Sequence, residues 1–419
     1  MLRGSRNSWV AGLLSLVFLL VGNDSLQLNP AQLVSLGQQF SLVRWEASNL
    51  PDKWMHRLLL AGRRDHRTKS YRRAQVNEYF LLSAQLNELR DQIAEVVVEE
   101  GGGRSNQSIA INENILRVHS DMGKMRSAVE ETIEATIAAV LDTEGIKSWG
   151  PVTFPPVDIR LGQVPKVLIV SPRHRIAQMY MVLLEPDVSL AQSEEMEQTL
   201  EGSWDLSAIV VSAGGLATYP ALVEDQVFLN DVLRAAAHEW VHHYLVFLPP
   251  DRPLGRNISA SSSMHTLNET FADIVAGEIE DLALENLSGV LPGMFLSQTR
   301  VARSGDAGER AFDFSVEMRE IRQRVDDLLR AGSVAEAETY MDLSREFLEE
   351  NGVHIRKLNQ AYFAFFDSYA LLPQSSSSIG PQMREMRDLV PDLKSFVDVM
   401  SRVSSYEGFV QALGQLRAE

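Results

Sequence analysis

Three side chains able to bind a metal and move protons lie close together in one apolar stretch of the sequence: His238, Glu239 and His242. Residues four apart share a face of a helix, so His238 and His242 can present two imidazoles to one ion. Glu239 lies one position round from His238, where its carboxylate can reach a water at that ion without being a ligand. The H-E-x-x-H spacing therefore indicates a metal site with a built-in base, typical of zinc hydrolases.

The stretch that carries these residues predicts a single helix. Val232 to Leu248 is filled by apolar and small residues and contains no glycine, and Pro249 stops it. Asn230 or Asp231 is the expected cap at its start. The helix would hold the two imidazoles at a fixed separation.

A second predicted helix, His265 to Glu280, offers further ligands. A catalytic zinc site needs three protein ligands and one open position. Glu269 and Asp273 are four apart and share a face, within the pattern Asn268-Glu269-x-x-Ala272-Asp273, and 26 residues separate Glu269 from the last His of H-E-x-x-H. This pair of motifs resembles the gluzincin metallopeptidases, the thermolysin-like clan, over about a tenth of the chain.

The resemblance implies a role for several residues. It makes Glu269 the third ligand of a Zn²⁺ cofactor, beside His238 and His242, and Asp273 the acceptor that fixes the tautomer of a ligand imidazole. Asn268 would support the ligands from the same helix. The alternative without a metal is that Thr266-x-x-Glu269 forms a helix capping box, which alone would explain a glutamate there.

Composition limits the remaining classes of function. The chain has 419 residues, a net charge of −17, nine histidines and no cysteine. The negative charge argues against general nucleic-acid binding, which needs a basic surface. The lack of cysteine excludes thiolate zinc sites, cysteine catalysis and disulfides. Two histidines and one carboxylate also accept divalent ions other than zinc.

The N-terminus reads as a targeting segment. Arg3 and Arg6 precede an uncharged run from Trp9 to Val21, which is typical of a secretory start. We expect residues 1–25 to be a signal peptide or an N-terminal membrane anchor. The protein would then be exported, either tethered with its catalytic domain outside the cytoplasm or secreted after cleavage.

The rest of the chain predicts an α+β protein: mainly helical, with a small mixed β-sheet ahead of a zincin-type pair of active-site helices. Residues 26–150 read as a helical N-terminal region, 151–373 as the metallopeptidase domain and 374–419 as a C-terminal helical segment. Predicted strands cover 157–161, 167–171, 178–184 and 208–213. In the gluzincin fold, the edge strand ahead of the helix pairs with the substrate backbone.

Two further sets of residues are candidates for contacts with a substrate. The segment Val211 to Gly215, with Gly214 and Gly215, is the expected substrate-facing edge, although the glycines could equally form a plain turn. A hydrogen-bond donor for the developing oxyanion is also needed. Tyr362 and His354 are preferred because they fall on one predicted amphipathic helix, 354–369. The other candidates are Tyr369, Arg356 and Tyr219.

The leading interpretation is an exported zinc metallopeptidase acting on a peptide or protein substrate, with Glu239 as general base. Cleavage within chains or from their ends stays open. The alternative from another class is a zincin-fold protein that binds or scaffolds at the membrane without catalysis. The general base argues against it, because a structural zinc site does not need Glu239. A helical interaction protein would require two coincidental motifs.

Overall fold

The computed structural model describes residues 28–49, 68–100, 106–146, 153–225, 228–249, 251–257, 261–287, 312–367 and 377–418. Within these ranges the chain is mainly helical and carries two small sheets, one of which is mixed. The predicted α+β class is confirmed at this level.

The helices account for most of the described chain. They are α1 (Pro30–Val34), α2 (Lys69–Glu100), α3 (Asn106–Thr143), α4 (Leu190–Trp204), α5 (Leu229–Val246), α6 (Ser262–Leu287), α7 (Phe314–Arg330), α8 (Val334–Glu350), α9 (Gln360–Phe366), α10 (Ile379–Asp388), α11 (Leu393–Met400) and α12 (Tyr406–Leu416). A short helix also covers 42–49, and a 3-10 turn covers Leu254–Asn257.

The strands form two three-stranded sheets. They are β1 (Ile159–Gly162), β2 (Lys166–Pro172), β3 (Tyr180–Leu184), β4 (Leu206–Ser212), β5 (Gly215–Leu216) and β6 (Ala221–Glu224). One sheet has the order β3-β2-β4 and is antiparallel throughout. The other has the order β1-β6-β5, with β1 parallel and β5 antiparallel to β6. The four predicted strands are present with shifted ends, and β5 and β6 are additional.

Alternating side chains of β2 separate two hydrophobic clusters. Val167 and Ile169 pack with α7, α8 and α9, whereas Leu168 and Val170 pack with α1 and α4. This alternation follows from the two-residue period of a strand, which sends successive side chains to opposite faces. The β3-β2-β4 sheet is therefore covered by helices on both faces.

The largest hydrophobic cluster surrounds α5 and α6. It joins these two helices to α2 and α3, to β1 and β6, and to α10, α11 and α12. Helices from the predicted N-terminal region and the predicted C-terminal segment thus share one core with the two motif helices. The domain boundaries at 150 and 373 stay a prediction, but the hydrophobic packing does not follow them.

Helix α5 differs from the sequence prediction at its start. Its N-cap is Phe228, which makes no side-chain capping bond, so the expected caps Asn230 and Asp231 lie within the first turn. Trp240 fixes the helix in the core, because its indole N–H donates to the Pro155 carbonyl at 2.8 Å. The helix ends at Val246, as expected from Pro249.

Helix α6 begins earlier than expected, and this tests the capping-box interpretation of Glu269. The N–H of Met264 donates to Ser261 Oγ at 3.2 Å, which makes Ser261 the capping residue. Thr266 lies inside the helix, where its carbonyl accepts from the Thr270 hydroxyl at 2.6 Å. Glu269 is therefore not part of a capping box, and that alternative is wrong.

The expectation of a transmembrane helix needs correction. Among the helices of the described ranges, none combines the length and the apolar composition that crossing a bilayer requires. The run from Trp9 to Val21 lies outside the described residues, as does the whole segment 1–25. Export stays a prediction from the sequence, and the transmembrane prediction is not carried forward.

Candidate metal centre

His238, His242 and Glu269 form a buried cluster that could hold a metal ion. One ligand atom from each residue can be chosen so that all three lie within 4.8 Å of one another. His238 Nε2 is 3.3 Å from Glu269 Oε2, and His242 Nε2 is 3.6 Å from Glu269 Oε1. The two Nε2 atoms are 3.0 Å apart. Two imidazole nitrogens and one carboxylate oxygen are a donor set that suits zinc and other borderline divalent ions.

Asp273 holds the first imidazole in place. Its Oδ1 lies 3.1 Å from His238 Nδ1, so the ring nitrogen that faces away from the cluster has a carboxylate partner. That hydrogen bond favours the tautomer in which Nδ1 carries the proton and Nε2 offers its lone pair to the cluster. The structure thus brings His238, His242, Glu269 and Asp273 together.

The electrostatics of the cluster reflect three carboxylates around two imidazoles. Burial alone would lower the pKa of His238, but hydrogen bonds to Asp273 and Glu269 raise that pKa well above its usual value. Burial would raise the pKa of Glu269, whereas its bonds to His238 and His242 hold the pKa well below its usual range. Burial is the main reason that the pKa of Glu239 is raised.

Glu239 lies beside the cluster with its carboxylate against β5. A Cβ added to Gly215 would be 2.5 Å from Glu239 Oε1 and 3.0 Å from Glu239 Cγ. Only a residue without a side chain fits there while Glu239 keeps this position. Glu239 also interacts electrostatically with His238, His242 and Glu269, although it is not one of the clustered ligands.

The structure divides the expected substrate-facing edge into two parts. The backbone of strand β4 already has side-chain partners at Val210. The Val210 N–H donates to Glu197 Oε1 at 2.7 Å, and the Val210 carbonyl accepts from Arg356 at 3.2 Å. The Ala208 carbonyl of β4 accepts from Asn359 at 2.9 Å. Strand β5, which contains Gly215, is instead the edge of the β1-β6-β5 sheet and lies against Glu239.

Gly214 lies between these strands and is exposed, and an added Cβ there would meet no atom within 4 Å. Asn268 is fully buried, and its amide donates to the carbonyls of Leu254 at 3.2 Å and Met264 at 3.0 Å. These bonds tie α6 to the 3-10 turn. The expectation that Asn268 supports the ligands stays a prediction.

The preferred oxyanion donors, Tyr362 and His354, make no hydrogen bond or ion pair with the clustered residues within the described chain. Tyr362 is 5% exposed and packs in the hydrophobic cluster of α7, α8 and α9, where burial raises the pKa of its hydroxyl. The His354 side chain is 79% exposed and its nearest charged partner is Glu349, at 3.9 Å. Their predicted common helix begins only at Gln360, because Asn359 caps it and 353–359 is irregular.

Of the three remaining candidates for the oxyanion donor, two lie within the described residues and contact other groups. Arg356 is bound to Glu197, at 2.5 and 3.0 Å, beside β4. Tyr219 packs edge to face on His243, with ring centroids 5.4 Å apart. Tyr369 lies outside the described residues.

His265 is a residue near the cluster that sequence reasoning did not assign. Its Nδ1 is 3.9 Å from Glu269 Oε1 and its side chain is 40% exposed. The sequence signal was present, because His265 precedes Glu269 by four residues on the predicted helix. In the structure both residues lie within α6.

No family model matches the chain, and no curated protein or solved structure matches it.

Proposed function

We propose that the protein is a zinc-dependent hydrolase of peptide bonds, with the ion held by His238, His242 and Glu269. The observation that carries the proposal is the convergence of three ligand atoms within 4.8 Å on two packed helices, with the Glu239 carboxylate beside them. The resemblance of both helix motifs to gluzincins supports peptides as the substrate class.

Each residue of the site has a defined task in this proposal. Zinc supplies a Lewis acid that lowers the pKa of a water and polarises a carbonyl group. Glu239 accepts a proton from the attacking water and delivers it to the leaving amine. Asp273 keeps His238 oriented through the 3.1 Å contact. Burial of Glu239 excludes bulk water from the base.

Strand β5 is the proposed partner of the substrate backbone. It is the edge of its sheet within the described chain, and Gly215 touches Glu239. An extended peptide that pairs with such an edge gains main-chain hydrogen bonds that require no particular side chains. The strand would thereby lay a peptide bond next to the general base.

The alternative from another class is a metal-binding protein without catalysis. The structure offers one argument against it, because Glu239 is buried beside the cluster without being among the clustered ligands. Taking a carboxylate out of bulk water costs free energy. A protein that only binds the metal does not need a carboxylate at this position, whereas a hydrolase needs a base there.

Hydrolysis by the zinc-loaded full chain and by Glu239→Gln tests the proposal. Internally quenched peptides of mixed sequence, with free or acetylated N-termini, would report cleavage and its position. We expect cleavage by the parent and a loss of at least about 10²-fold in kcat for Glu239→Gln, because the general base is removed. The variant should retain zinc. Equal activity in both proteins, or none in the zinc-loaded parent, would refute the proposal.

A further inference from the structure

The oxyanion donor of the proposed reaction has no residue assigned to it, because within the described chain neither Tyr362 nor His354 contacts the clustered residues. Sites of this kind place a donor within hydrogen-bond reach of the oxygen on which charge develops. The donor must therefore reach the metal centre from its open side. The packing of α5 against α6 shows which residues lie on that side.

The two helices pair in an antiparallel series of contacts. His238 contacts Asp273, and one turn further along α5 His242 contacts Glu269. Four residues toward the C-terminus of α5 thus correspond to four residues toward the N-terminus of α6. The next pair in the series is Val246 and His265, and Val246 is 66% exposed. The side chains of Val246 and His265 are thus exposed at this end of the helix pair, and beside them the Thr266 hydroxyl donates to the Asp367 carbonyl at 3.5 Å.

His265 lies at this end of the helix pair, and its imidazole makes no hydrogen bond within the described residues. Its Nδ1 is 3.9 Å from Glu269 Oε1, too far for a hydrogen bond but close to the proposed ligand sphere. Within the ranges that the structure describes, no group accepts a hydrogen bond from its ring. Histidine carries at least one N–H donor in either protonation state, so a donor is always present.

We propose that His265 is a catalytic residue of this site, which donates a hydrogen bond to the substrate carbonyl oxygen as negative charge develops on it. The inference rests on the proposed peptidase function and adds the donor that function lacks. No bond to His265 forms or breaks, and no proton is transferred from it. Its contribution is stabilisation of the transition state.

His265→Phe and His265→Gln test the assignment in the zinc-loaded full chain. Phe keeps a flat ring without a donor, whereas Gln keeps an N–H donor without the ring. We expect His265→Phe to bind zinc like the parent and to lose about 10²- to 10³-fold in kcat, the usual effect of removing one oxyanion donor. His265→Gln should recover a large part of that loss.

A second readout separates a donor from a merely structural residue. A phosphonamidate peptide, matched to the best substrate, mimics the charged tetrahedral oxygen, and its Ki should rise in the same proportion as kcat/KM falls. An unchanged kcat/KM in His265→Phe overturns the inference while the peptidase proposal stands. Loss of zinc from His265→Phe also overturns it, because the imidazole would then serve the metal. A zinc-loaded parent that cleaves no peptide overturns both.

Discussion

Gly215 is the single residue on which the position of the proposed general base depends most directly. The space that a side chain would occupy is filled by the Glu239 carboxylate, at 2.5 Å from the expected Cβ position. Real carbon atoms do not approach so closely, so a larger residue must displace the carboxylate. The absence of a side chain at Gly215 therefore leaves room for the Glu239 carboxylate in its present position.

Gly215→Ala should lower kcat by about 10²-fold, because a misplacement of about 1 Å is enough to cost that much in a positioned catalytic group. Zinc content should not change, since Glu239 is not among the clustered ligands. Gly214→Ala is the matched control and should lose far less, because its added Cβ meets no atom within 4 Å. Steady-state kinetics of both variants, with elemental analysis, would measure this. Equal losses in the two would contradict it.

At the residue scale, the sequence predicted what local helix geometry determines. His238 and His242 are four apart on one helix, and Glu269 and Asp273 are four apart on another, so each pair had to share a face. Tyr362 and His354 could not be placed, because their distance from the cluster depends on how separate helices pack. The bond from the Asn268 amide to the Leu254 carbonyl could not be predicted either, because it depends on how the 3-10 turn packs against α6.

At the scale of elements, the 3-10 turn Leu254–Asn257 packs against both α5 and α6. A Cβ on Gly255 would lie 2.5 Å from the Leu245 carbonyl oxygen and 2.6 Å from Leu245 Cβ. The Leu254 carbonyl accepts from the Asn268 amide at 3.2 Å. The turn thus contacts both helices that carry the proposed ligands.

Gly255→Ala should destabilise the protein by about 3 kcal/mol, at the upper end of ordinary overpacking, because the clash is with backbone. Gly123→Ala is the control. Gly123 is an exposed helical glycine whose Cβ would meet nothing within 4 Å, so the change should stabilise by about 0.5–1 kcal/mol. Urea unfolding followed by circular dichroism would give both values. A neutral Gly255→Ala would show that the turn is not tightly packed.

Element types were predictable where the pattern was long and periodic. The residues of α2, α3, α5 and α6 repeat apolar positions over many turns, and each helix is present. Strands β5 and β6 have two and four residues, too few to show an alternation. The predicted helix over 354–369 failed at its start, because Asn359 accepts from the Tyr362 N–H at 2.9 Å and caps α9 there.

At the scale of the whole molecule, the motif helices are enclosed by elements from both ends of the chain. Val76, Ile133 and Phe396 share one hydrophobic cluster with Val241 and Phe271. Sequence reasoning divided these segments into separate regions, because composition changes near 150 and 373. In the structure, helices from these separate regions bury apolar side chains in the same hydrophobic cluster.

Removal of zinc should lower the stability of this shared core. A ligand that binds only the folded state stabilises by about 2.7 kcal/mol at a free concentration of 100 times Kd. We expect chelation to lower the Tm of the parent, whereas the Tm of Glu269→Ala should not respond. Differential scanning calorimetry with and without chelator would measure this. An equal fall in the variant would place the ion elsewhere.

The metal content of the purified protein shows whether His238, His242 and Glu269 bind zinc. Elemental analysis of the parent, Glu269→Ala and Glu239→Gln after zinc repletion and dialysis would compare the loss of one proposed ligand with the loss of the proposed base. We expect about one zinc per chain in the parent and in Glu239→Gln, and much less in Glu269→Ala. A parent without zinc, or a Glu269→Ala variant that retains a full equivalent, would contradict the three-residue site.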